Sequence, residues 1–225
     1  MIAQAQPAAP RVIRSPFMSG RDEEPPEGEK TRDLARAAQR GEEGRFGELY
    51  ERIAPALYTW ACLRIRPAMR VQVDPEDVVQ EVWCRAWKAF PQFDAEGASF
   101  RLWVFRIAKN GMLEAFSKVQ RASSAAGGHE PTTRLFQLQN VPDSATAISR
   151  RMARTEEIQV VLDWVGELEE DEQKLFLHCG LEGMGYAEVA ERMDLRYDAV
   201  AKRWQSLRER LGRFALPRDM LAEAS

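Results

Sequence analysis

The chain has 225 residues, a formal net charge of −3, 30% charged residues and 44% hydrophobic residues. That length is enough for two small cores, and the slightly acidic balance excludes a protein that coats nucleic acid wholesale. The three cysteines, Cys62, Cys84 and Cys179, are widely spaced, and only His129 and His178 could join them, which excludes a disulfide framework and a structural zinc site and fits a reducing cytoplasm.

Residues 1–30 carry Pro7, Pro10, Pro16, Pro25 and Pro26 and, after Arg21, a charge run without apolar period. They read as a disordered tail. The first residues lack an apolar run of signal-peptide length, and no window approaches a membrane span, so a cytoplasmic protein without membrane insertion is expected. From Thr31 the pattern turns helical. Leu34, Ala37 and Ala38 lead to Gly41, and Phe46, Leu49, Tyr50, Ile53, Leu57, Tyr58 and Ala61 then recur at three- and four-residue steps.

The segment from Asp74 to Trp87 predicts one amphipathic helix with two assignable faces. Asp74 is an N-cap residue, Pro75 suits the first helical position, and Glu76 and Asp77 place negative charge where the helix dipole favours it. Val78, Val82 and Ala86, with Val79, Trp83 and Trp87 alongside, form the apolar stripe, and Asp77, Gln80, Glu81 and Arg85 the polar one.

A loop from Phe90 to Ser99 follows, closed by an N-cap at Ser99. The next helix has Phe100, Trp103, Val104, Ile107 and Ala108 on one face, widened by Leu102 and Phe105, and leaves Arg101, Arg106, Lys109 and Lys118 for solvent or phosphate. Residues 85–121 hold seven Lys and Arg against three Asp and Glu. A surface of that sign attracts the DNA backbone, and cations beside aromatic platforms suit single-strand capture.

Residues 122–153 open with Ala-Ser-Ser-Ala-Ala-Gly-Gly and include Pro131 and Pro142, which predicts a flexible linker holding two lobes apart. Its alternating apolar stretch, residues 134–139, is a candidate docking segment. Beyond it, residues 156–172 are rich in acids. Leu175, Phe176, Cys179 and Leu181 form an apolar set ending at Gly183 and Gly185, and Tyr186, Val189, Ala190 and Met193 give a short helix. Val200, Trp204, Leu207 and Leu211 then make a buried stripe whose outer complement is Lys202, Arg203, Ser206 and Arg210. This is the pattern of a helix-turn-helix, whose second helix offers cations to phosphates or guanine edges. With no internal repeat and no strand-like alternation, the expected fold is all-α, two small helical domains joined by the linker.

Three stretches in order, Asp77-Val-Val-Gln-Glu-Val82, Phe100-Arg-Leu-Trp-Val-Phe-Arg-Ile-Ala-Lys-Asn110 and Tyr186-Ala-Glu-Val-Ala-Glu-Arg-Met193, resemble the extracytoplasmic-function (ECF) group of bacterial RNA polymerase sigma factors. The resemblance implies a region 2 bundle over residues 31–121, a linker over 122–153, a region 4 helix-turn-helix over 154–214 and a C-terminal tail over 215–225. It also implies that core RNA polymerase docks on Asp77, Gln80, Glu81 and Trp83. The loop before the basic helix would hold a flipped base of the minus-ten element, with Arg101, Lys109, Asn110 and Lys118 as the melting surface. Lys202, Arg203, Ser206 and Arg210 would read the minus-thirty-five element, and an anti-sigma factor is an expected second partner.

The chain departs from the family pattern at Glu114-Ala-Phe-Ser117, where many members have Asp-x-x-Arg, so a promoter preference does not carry over. It departs again at Asp194, where a small residue is usual, and at Ala199, where Thr is frequent. Asp198 adds negative charge near the start of the recognition helix. No Ser/His/Asp set, metal-ligand cluster or phosphate-cradling glycine loop occurs, so neither catalysis nor a cofactor is expected. The competing readings are a helix-turn-helix regulator acting without polymerase and a sigma mimic that sequesters regulators. The first leaves the Asp77 helix unused, the second both basic faces.

Overall fold

The computed structural model describes residues 27–66, 69–70, 72–125, 143–217 and 219–222, and among them there is no strand. The N-terminal residues 1–26 and the 134–139 stretch lie outside the described residues. In chain order the helices are α1 (Glu27–Gln39), α2 (Arg45–Arg64), α3 (Pro75–Ala89), α4 (Phe100–Ala125), α5 (Asp143–Ala153), α6 (Glu156–Gly166), α7 (Glu170–Leu175), α8 (Tyr186–Met193) and α9 (Tyr197–Leu211). A 3₁₀ turn, Phe90–Gln92, follows α3, and a π-helical segment, Phe176–Glu182, continues α7.

Local signals set the helix starts. Asp74 Oδ1 accepts from the Glu76 N–H at 2.8 Å with Pro75 at the first turn, so α3 begins as its sequence predicts. The stripe Val78, Val79, Val82 and Ala86 is at most 1% exposed. It packs on α2, where Leu49, Tyr50, Ala54 and Leu57 are fully buried, and the Tyr50 hydroxyl donates to the Val79 carbonyl at 2.7 Å. Ser99 opens α4, whose Val104, Phe105 and Ala108 close the first lobe.

In the second lobe Ile158, Val161 and Val165 of α6 and the stripe Val200, Trp204, Leu207 and Leu211 of α9 are buried in one core. Trp204 settles over Gly180, where a Cβ would lie 2.7 Å from the indole. The turn between α8 and α9 rests on Asp194, at φ 53° and ψ 45°. The residue that departs from the family pattern therefore takes the left-handed conformation itself, which aspartate tolerates better than most side chains. Asp194→Gly is expected to raise the melting stability of this lobe by about 0.5–1 kcal/mol, measured by thermal denaturation. An unchanged or lowered melting temperature would show that the Asp194 side chain compensates for its backbone.

The structure corrects the linker expectation twice. Residues 143–153 are not extended chain but helix α5, whose Ala145, Ile148 and Met152 are buried and which packs against α2 and α3. Nor do the lobes stand apart: α2 touches α6 and the π-helical segment, α4 touches the same segment, and buried residues of both lobes form one continuous core. The expectation failed because the composition of a connecting stretch carries no information about the affinity of the two lobes for each other.

Candidate nucleic-acid and polymerase interfaces

On α3 the four candidate polymerase residues do not share one open face. Asp77 is 9% exposed and Trp83 is 7% exposed. Gln80 donates to the Ser149 hydroxyl of α5 at 2.9 Å, so that helix covers the N-terminal half of the polar stripe. Glu81 stays at the boundary, paired with Arg85 at 2.6 Å, and Arg85 reaches Glu114 on α4 at 2.8 Å. Glu114, which departs from the family pattern, thus ties α3 to α4. Trp83 stacks on Trp87 with ring centroids 5.7 Å apart and meets the Phe46 edge at 5.5 Å. Its sequence position on the apolar flank of α3 explains its burial. The outward aromatic is Trp87, half exposed at the same end of the helix.

The loop before α4 is built on aromatics. Phe93 is buried against Trp103, 4.9 Å between centroids, and Phe90 stacks on Phe93. Asp94 Oδ1 accepts from the backbone N–H groups of Glu96 and Gly97 at 3.0 and 3.1 Å, which shapes the tip. Arg36 of α1 grips the Glu96 carboxylate with two hydrogen bonds of 2.6 and 2.7 Å. Beneath this loop runs a cleft of about 470 Å³, walled on one side by residues 93–102 and on the other by Gly183, Asp219, Leu221 and Ala222.

The basic set on α4 is divided by the second lobe. Asn110 and Lys118 are exposed. Arg101 and Lys109 face the C-terminal lobe. The Arg101 guanidinium donates to the Leu181 carbonyl at 2.7 Å, to the Met220 carbonyl at 3.3 Å and to the Asp219 carbonyl. Lys109 Nζ lies 2.7 Å from Glu182 Oε2.

Glu182 is the residue that sequence reasoning missed. It is fully buried in the second lobe, and its carboxylate takes hydrogen bonds from the first: Trp60 Nε1 at 2.8 Å and Arg64 at 3.3 Å on one oxygen, Lys109 on the other. His178 Nδ1 stands 3.0 Å from that second oxygen. Burial raises the Glu182 pKa, but the hydrogen bonds from His178 and Lys109 and their charges outweigh it and hold the carboxyl at about 2. A buried charge is tolerated only when paired and hydrogen-bonded in this way. The one sequence hint was an acid ending the largely apolar run Phe176–Glu182, four residues after His178.

On α9, Lys202 and Ser206 are exposed. Arg203 is half exposed and pairs loosely with Asp171 at 3.6 Å, whereas Arg210 bonds Glu172 and lies 5.4 Å over the Trp164 ring. Arg210 is therefore engaged with α6 and α7. Lys202, Arg203 and Ser206 remain on the outer face of the recognition helix, opposite the buried stripe. Tyr197 at its start is half exposed and packs edge-on against Tyr186, 5.9 Å between centroids.

Two small helical lobes, one with an acid-capped helix beside a basic aromatic helix and the other with a helix-turn-helix, define a transcription initiation factor of the sigma type. The chain matches Sigma-70 region 2 over residues 49–122 and Sigma-70, region 4 over residues 158–211. It belongs to the sigma-70 family, in its extracytoplasmic-function group. It is 28% identical over 180 residues to RNA polymerase sigma factor CnrH of Cupriavidus metallidurans, covering 80% of this chain and 91% of the relative. It is equally identical to RNA polymerase sigma factor NccH of Alcaligenes xylosoxydans xylosoxydans, over 79% of this chain and 90% of the relative. With ECF RNA polymerase sigma factor BldN of Streptomyces coelicolor it shares 24% identity over 75% of this chain and 59% of the relative. The solved structure of CnrH in complex with the cytosolic domain of CnrY is 25% identical, covers 81% of this chain and 95% of that one, and has a TM-score of 0.38. Among the described residues no helix is long and apolar enough to cross a membrane.

Proposed function

We propose that this sigma factor binds core RNA polymerase through the outward part of α3, melts the minus-ten element with the 93–99 loop and α4, and reads the minus-thirty-five element with α9. Region 2 would span residues 31–121 and region 4 residues 154–214, with the tails outside them. The observation that carries the reading is the division of α9: Val200, Trp204, Leu207 and Leu211 are at most 1% exposed while Lys202, Arg203 and Ser206 face out. A recognition helix needs that arrangement to enter a major groove without losing its seat on the lobe. On α3, Glu81 and Trp87 are the residues best placed to meet the polymerase, and full use of Asp77 and Gln80 would require α5 to lift away. Engaging two promoter elements requires the lobes to separate. The protein itself performs no catalysis in this reading, and an anti-sigma factor is its regulatory partner, as CnrY's cytosolic domain is found in complex with CnrH.

Run-off transcription with purified core polymerase tests the function. A specific transcript that depends on this chain supports it. Duplex binding without any transcript would favour a regulator acting alone, and the absence of both would favour a sigma mimic. Within the reading, Arg203→Ala is expected to weaken duplex promoter binding by about 1–3 kcal/mol and to relax preference at one base pair. The pair with Asp171 does little to oppose this, because both side chains are half exposed or more. A loss that is uniform across sequences would make Arg203 a phosphate contact instead, and no loss would remove it from the interface.

A further inference from the structure

Residues 219–222 bind both lobes at the mouth of the cleft. The Asp219 carboxylate pairs with Arg52 of α2 at 3.0 Å, both side chains about one-fifth exposed. The Asp219 and Met220 carbonyls accept from Arg101 of α4. On the other side the Ala222 N–H donates to the Gly180 carbonyl at 2.7 Å, in the second lobe. Met220 is 1% exposed and Ala222 8%, and a Cβ on Gly183 would lie 3.0 Å from Ala222 Cβ, so the segment is packed and not merely draped. Asp219 holds φ 59°, a left-handed conformation that an aspartate keeps only when its surroundings compensate for the strain.

The chemistry of the contact is distinctive. One carboxylate and two carbonyl oxygens are offered to two arginines on region 2, which is the charge and acceptor pattern of a nucleic-acid phosphate. Leu221 and Ala222 wall the same cleft that lies under the loop at residues 93–99. We propose that residues 219–222 are a self-blocking strap: they hold the lobes closed and compete with the single DNA strand for Arg52 and Arg101. This deepens the functional reading above and rests on its assignment of the loop and α4 to single-strand capture. It adds Arg52 to that surface as a phosphate-binding residue. The strap must leave before the strand can enter.

Asp219→Ala and Asp219→Lys in the full-length chain test the strap. Two readouts require no polymerase: the radius of gyration from small-angle X-ray scattering, and the affinity for a fluorescent mixed-sequence 12-mer single strand at low salt, by anisotropy. Each variant is expected to widen the scattering envelope and to bind the strand about tenfold more tightly. Arg52→Ala on the Asp219→Ala background should remove most of that gain. The charge swap Arg52→Glu with Asp219→Lys should restore the compact envelope while losing strand affinity, which separates the ion pair from a general loss of folding, itself followed by circular dichroism. Unchanged scattering and affinity in both single variants overturn the proposal, as does a widened envelope without tighter strand binding. Run-off transcription by the wild-type chain judges the sigma-factor reading separately, so either can fail while the other stands.

Discussion

Glu182→Leu is expected to part the two lobes and to lower the stability of the closed form by about 3 kcal/mol, toward the lower end for breaking a buried charge cluster. The substitution leaves the Trp60 indole N–H without its acceptor and Lys109 without its 2.7 Å partner. Lys109 and Arg64 are each about one-third exposed and can turn to water, which keeps the loss from being larger. Equilibrium denaturation followed by lobe-specific hydrogen exchange would measure the effect. Intact protection of α2 and the Phe176–Glu182 segment in the variant would show that apolar contacts alone close the molecule.

The same residue gives the interface a pH dependence with a defined sign. The Glu182 carboxyl titrates at about 2 in the folded chain, against roughly 4.3 when unfolded. A depressed folded-state pKa means the stabilisation is fully present above the unfolded value and is lost as pH falls through that window to about 2. The difference between wild type and Glu182→Gln, which cannot ionise, should therefore shrink from about 3 kcal/mol near neutrality to near zero at the acid end. A difference that stayed constant across the window would mean that shape and hydrogen bonding, not charge, give Glu182 its role.

Trp204→Ala should have the largest effect on the second lobe, about 3–5 kcal/mol, through the cavity it leaves. The indole is 1% exposed and occupies the space that Gly180 leaves open. Nothing smaller can fill it, and Gly180→Ala should disturb the same contact from the other side. The expected signature is loss of duplex DNA binding and of exchange protection in α9, with protection in α2 and α3 largely kept. Because the lobes share one core, a variant that instead melts α2 and α9 together would show that they form a single cooperative unit.

Much of the fold can be read from local pattern. The α3 cap at Asp74, the buried stripes of α2, α3 and α9, and the helix-turn-helix all follow from three- and four-residue apolar spacing and from capping chemistry. Each depends on neighbours within one or two turns. One misreading also arose locally: α5 was hidden in a stretch whose Ser, Thr and Arg content outweighed its Ala145, Ile148 and Met152 period, whereas the spacing placed Trp83 beside the apolar stripe, where it is buried, and only the resemblance gave it to a docking face.

The candidate interfaces divide along the same line. Composition and order were sufficient to identify a basic aromatic helix, an acid-capped helix and an outward cationic face on α9, because those are properties of single elements. Which cations stay exposed was decided only by tertiary structure. Arg106 and Lys118 remain in solvent, while Arg101 and Lys109 turn into the second lobe, where Glu182 and the carbonyls of Leu181, Asp219 and Met220 receive them. The deciding contacts join residues 122 positions apart at Trp60 and Glu182 and 167 apart at Arg52 and Asp219. No periodicity or capping rule reaches that far. A charged side chain in a sequence carries its affinity for an opposite charge but not the address of its partner, and that address is set by which apolar faces bury each other.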